Sequence, residues 1–147
     1  MTHIVCLSSA SGHTSDALVS FAKNCEMNYT AEIHSLSSPL NEIEKIFAKS
    51  FNSEWKLYLS PNPTKLATGC TIEVINLAKQ YNCAHVVLVS SILLNVDYEG
   101  YHRSASLAST KFNIHKTSLA QINRGLFTQN YIDMETHIQN SKIPFTI

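Results

Sequence analysis

The run His85-Val86-Val87-Leu88-Val89 constrains the fold of this chain more than any other segment. A strand with one wet face alternates apolar and polar residues. An unbroken β-branched run instead suits a strand covered on both faces, as in a parallel sheet. Parallel neighbours cannot be joined by a hairpin and need a crossover of a dozen or more residues, usually a helix. The remaining sequence supplies that alternation. Strand-like runs lie at His3 to Leu7, Thr30 to Leu36, Glu54 to Leu59, Ala84 to Ser90 and about Ile114 to Ile122.

Helical periodicity fills the intervals. Thr14 or Ser15 is placed to cap a helix whose inward stripe is Ala17, Leu18, Phe21, Ala22 and Cys25. Asn41 with Glu44 resembles a capping box ahead of Ile43, Ile46 and Phe47. Leu66, Cys70, Val74, Leu77, Ala78 and Tyr81 stripe a third helix, with Asn82 as a left-handed C-cap. A fourth, shorter helix is expected from about Arg103 to Phe112. Strand and helix in alternation imply right-handed crossovers and an α/β fold: an open, mostly parallel five-stranded sheet with helices on both faces. Ligands of such sheets bind beyond the carboxyl ends of the strands, where the strand order switches. The loops Ser8 to His13 and Ser90 to His102 therefore carry the site expectation.

The segment 123–147 reads as a C-terminal appendage. Tyr131, Met134 and Ile138 would stripe a helix, and Lys142-Ile143-Pro144-Phe145-Thr146-Ile147 would form an arm or edge strand, since Pro144 excludes a central position. The division expected is an α/β domain over 1–122 and the appendage beyond it.

Charge narrows the partners. Eleven basic and eleven acidic residues give a formal net charge of zero, which argues against nucleic acid held by an overall basic field. No window approaches a membrane span, and the amino terminus lacks a basic region with an apolar h-region, so a cytoplasmic location is expected. Cys6, Cys25, Cys70 and Cys83 form no Cys-x-x-Cys pair. They read as buried free thiols, and no zinc site is expected.

The order from His3 to Ile122 resembles the universal stress protein family. Ser15-Asp16-Ala17-Leu18 is similar to the family's first-helix pattern. The run from Thr71 to Val89 is similar to its helix, short turn and buried strand, Ser104 to Ala108 to the next helix, and His115 to Ile122 to the last strand. The resemblance implies a Rossmann-like domain, a homodimer through the last strand or tail, and ATP or another nucleotide as the ligand. Two departures point to the branch that lacks ATP binding. Ser8 stands where ATP-binding members carry aspartate. The segment Ser90 to Thr110 contains one glycine, Gly100, in place of the family's fingerprint Gly-x2-Gly-x9-Gly-Ser/Thr. No cofactor is therefore certain.

Candidate site residues follow from the two loops. Ser8, Ser9, Ser11, Gly12, His13 and Thr14 would open onto a helix N-terminus and suit a phosphate, nucleotide or sulfate. Ser90, Ser91, His102 and Arg103 would face them, with Arg103 and His102 as anion donors and Tyr98 and Tyr101 able to stack on a base. His34 and His115 are spaced like the two motifs of phosphoesterases that use His-x-Ser/Thr, but only His115 has a hydroxyl two positions on. Asp16 and Asp97 are the candidate site carboxylates. The function expected is a non-enzymatic regulatory or stress-response module with weak or absent nucleotide binding. The alternative is a small enzyme acting on a nucleotide or phosphorylated substrate, with His13 as acid or base.

Overall fold

Alternation along the chain produces β1 (Thr2–Ser8), α1 (His13–Asn24), β2 (Tyr29–Ser35), α2 (Leu40–Ser50), β3 (Trp55–Ser60), α3 (Lys65–Gln80), β4 (His85–Leu88), α4 (Thr117–Ser141) and β5 (Phe145–Thr146). This is a computed structural model that describes residues 2–9, 13–24, 28–90 and 117–147; at 13–15, 22 and 117–128 only the backbone is described. The strands form one sheet in the order β2-β1-β3-β4-β5, and every pairing is parallel. The chain steps from β1 to β2 on one side, then crosses back past β1 to β3. The switch in strand order therefore lies between β1 and β3, the second of the two common doubly wound arrangements.

One face of the sheet builds the core. Val5 and Leu7 pair in register with Leu57 and Leu59, which pair with Val86 and Leu88, and all six are fully buried. Ile43 and Phe47 of α2, Val74, Ile75 and Ala78 of α3, and Met134 and Ile138 of α4 join them in one cluster. Right-handed crossovers account for this grouping: the steps to β3, β4 and β5 run in one direction, so α2, α3 and α4 share a face, and α1 lies on the other, against β2. Trp55 anchors the strand end of the core. Its ring lies 4.6 Å from that of Phe47, and its indole N–H donates to the Tyr81 carbonyl at 2.9 Å, so its polar atom is satisfied.

The ends of α3 show how local sequence fixes the helix. Thr64 caps it by accepting from the Ala67 amide at 3.2 Å. At the other end Asn82 is left-handed, with φ 53°. Its amide donates to the Lys79 carbonyl, and that of Cys83 to the Ala78 carbonyl. This is a Schellman closure with asparagine at the left-handed position.

Five expectations are corrected. Residues 117–122, expected within the last strand, open α4, and the fifth strand is Phe145–Thr146. Leu119, Ile122 and Leu126 recur at three- and four-residue spacing, a helical period with no alternation of two. The Asn41–Glu44 box does not form. Pro39 is the N-cap, its carbonyl accepts from Glu42 and Ile43, and Glu44 instead accepts from the Tyr81 hydroxyl at 2.9 Å. Thr14 and Ser15 lie inside α1, because the helix already starts at His13. Finally, the inward arc of α1 centres on half-buried Leu18 and Val19, leaving Ala17 and Phe21 exposed. In α3 the expected stripe likewise fails at its first member, since Leu66 is 80% exposed. The helix expected at 103–112 lies outside the described residues.

Candidate functional site

Because all strands run the same way, every carboxyl end meets one rim, and backbone bonds tie that rim together. The Leu36 amide donates to the Ser8 carbonyl at 2.9 Å, and the Ser9 amide to the Ser60 carbonyl at 3.1 Å. A cleft of about 220 Å³ opens there. Ser9 at the end of β1, Leu36 and Ser37 after β2, Asn62 and Thr64 after β3, and Leu66, Ala67 and Cys70 of α3 line it. The cleft thus sits at the β1/β3 switch, where doubly wound sheets bind ligands.

Its polar groups are uncharged, set among Leu36, Leu66 and Ala67. Ser9, Ser37 and Thr64 supply hydroxyls, Asn62 an amide and Cys70 a thiol. Thr64 orients the first turn of α3 toward the cleft. Its own amide donates to the Asn62 carbonyl at 2.8 Å, and its hydroxyl satisfies Ala67. The amides of Lys65 and Leu66 have no partner within the helix, as at any N-terminus, and sit at its positive end.

The expected residues divide into three groups. Ser8 and Ser9 are at the rim, Ser8 buried and Ser9 half-buried. His13 and Thr14 open α1, but only their backbone is described, and Asp16 is exposed on the same helix. Ser90 follows β4 on the same rim, with β3 standing between β4 and β1. Its hydroxyl donates to the Glu135 carboxylate of α4. Ser11, Gly12, Ser91, Asp97, Tyr98, Tyr101, His102, Arg103 and His115 lie outside the described residues.

Sequence reasoning missed Ser37, Asn62, Thr64, Cys70 as a cleft residue, and Glu135. A signal existed for one of them: Pro63-Thr64 directly before a helical stripe is an N-cap pattern. Glu135 carries none, because it reaches the rim only through the packing of α4 on α3.

A second cluster lies on β1 and the edge strand β2. His3 Nε2 is 2.9 Å from Glu32 Oε1, and His34 Nε2 is 3.1 Å from Glu32 Oε2. His3 Nδ1 is 2.7 Å from the Thr30 hydroxyl. Burial pushes the Glu32 carboxyl up, but hydrogen bonds and charge from His3 and His34 outweigh it, and the net direction is below the usual 4.5. The cluster fastens the edge strand to its neighbour. Among the described residues, no group of three His, Cys, Asp or Glu side chains could hold a metal ion, and no helix is long and apolar enough to cross a membrane.

The thiols separate by environment. Cys6 and Cys83 are buried, and burial raises each to about 11. Cys70 is half-buried at the cleft. All three are free, and Cys25 lies outside the described residues. Comparison of the chain with protein-family models, curated proteins and solved structures finds no match.

Proposed function

We propose that this protein is a non-enzymatic regulatory module that binds a phosphate-bearing mononucleotide at the carboxyl rim of its sheet. One observation carries the ligand site: the cleft at the β1/β3 switch, lined by Ser9, Ser37, Asn62 and Thr64 and facing the first turn of α3. In at least one other sheet of the 2-1-3-4-5 order, flavin mononucleotide occupies this switch point. The analogy is one of fold and brings a ligand class, not a reaction. Hydroxyls, an amide and free helix amides suit phosphate oxygens.

What favours binding over catalysis is the lining itself. A general acid or base must reach the reacting proton, and among the described residues that line the cleft, where the phosphate would sit, there is no carboxylate or imidazole. Among the described residues, Glu135 reaches the rim beside β4, where it accepts from the Ser90 hydroxyl, and it does not line the cleft. The regulatory role and the homodimer are proposed on the resemblance to universal stress proteins. Exposed Phe145 and Ile147 at the C-terminal edge are apolar groups that a dimer contact would cover.

Calorimetric titration with flavin mononucleotide, AMP and inorganic phosphate tests the ligand site. Binding of at least one mononucleotide, weakened about tenfold or more by Asn62→Ala, is the expected result, since a hydrogen bond to a charged group contributes ~1.5–3 kcal/mol. Absence of binding by all three, or binding indifferent to Asn62→Ala, would overturn it.

A further inference from the structure

Gly69 stands in the interior of α3, exposed, and among the described residues a Cβ added there would meet nothing within 4 Å. Packing among the described residues therefore does not require glycine, and glycine weakens a helix interior relative to almost any other residue. Gly69 floors an open groove of about 530 Å³ that is also lined by Lys65, Leu66, Cys70 and Glu73. Leu66 and Cys70 line both this groove and the rim cleft, so the two are continuous around the first turns of α3.

We propose that the groove over Gly69 is the second half of the ligand site and takes a flat, largely apolar ring joined to the phosphate held in the cleft. The inference rests on the mononucleotide reading above and specifies which part of the ligand lies where. Three observations converge on it. Leu66, 80% exposed, offers an apolar wall at the point where the two meet. The missing side chain at Gly69 lets a planar group lie against the helix backbone, a close approach that glycine permits. Lys65 and Glu73 bracket the strip with one donor and one acceptor for the polar edges of a ring.

Two probes separate the halves: flavin mononucleotide, which carries a planar ring, and ribose 5-phosphate, which does not. They are titrated into the full-length chain, its Gly69→Leu variant and its Asn62→Ala variant. Gly69→Leu is expected to raise the melting temperature, because leucine is the better helix former. It should weaken flavin mononucleotide at least tenfold while leaving ribose 5-phosphate within twofold of the wild-type value. Unchanged flavin affinity in Gly69→Leu, with both probes weakened in Asn62→Ala, overturns the groove and leaves the cleft standing. Failure of both probes to bind the wild-type chain overturns the cleft and the groove together.

Discussion

Met134→Ala tests whether α4 belongs to the core or merely follows it. Met134 is completely buried and shares one cluster with Val74, Ile75 and Ala78 of α3 and with the sheet. Replacing a buried methionine by alanine costs about 2–5 kcal/mol, the transfer term plus the cavity left behind. For a domain of this size each kcal/mol lowers the melting temperature by ~2–4 °C, so a fall of roughly 4–20 °C is expected. The internal control is Ile132→Ala, two positions away on the same helix, where the side chain is 40% exposed. Its expected cost is under ~1 kcal/mol, because much of the apolar surface is already in water. Urea unfolding of both variants gives the numbers, provided the slope with urea matches that of the wild type. A Met134→Ala variant within ~0.5 kcal/mol of wild type, or equal losses in the two variants, would refute the integral role of α4.

Two further outcomes follow from the electrostatics. Glu32 lies below its usual 4.5 in the folded state, so its contribution is present above the unfolded value and lost as pH falls through the folded one. With the carboxylate 40% exposed, solvent screening limits the contribution to under ~1 kcal/mol. Urea midpoints measured between pH 3 and 6 should fall more steeply for wild type than for Glu32→Gln, and parallel curves would count against the His3–Glu32–His34 fastening. In a Cys25→Ser background, a thiol reagent at pH 8 should label Cys70 well before Cys6 or Cys83, whose burial raises them to about 11; peptide mapping that finds Cys6 or Cys83 labelled first would contradict their placement.

Much of the architecture was legible because it rests on local periodicity. The β4 run announced an inner strand of a parallel sheet, and the structure places it between β3 and β5, although only one face is fully covered, with His85 and Val87 half-buried and Val86 and Leu88 buried. Asn82 was readable as a left-handed C-cap because asparagine tolerates that angle. Met134 and Ile138 were readable as an inward stripe and are fully buried. The errors came where tertiary context outweighed local signals. Pro39 starts α2 before Asn41 can cap it. The hydrophobic content of 117–122 suited either element, and helical spacing decided it. The site was legible only as a rim. Ser9 could be placed at the end of the first strand, but Ser37, Asn62 and Thr64 meet it through sheet order, since β3 crosses to the far side of β1. That crossing is a property of the whole fold, which no short spacing in the chain encodes.

Nitrogen-15 amide shifts recorded during a titration with flavin mononucleotide examine the rim most directly. Saturable movements concentrated at Ser9, Ser37, Asn62 and the Thr64–Leu66 turn are the predicted result. Saturable movements confined to the opposite, amino-terminal ends of the strands, around Thr2, Tyr29 and Trp55, or a spectrum that does not change, would contradict it.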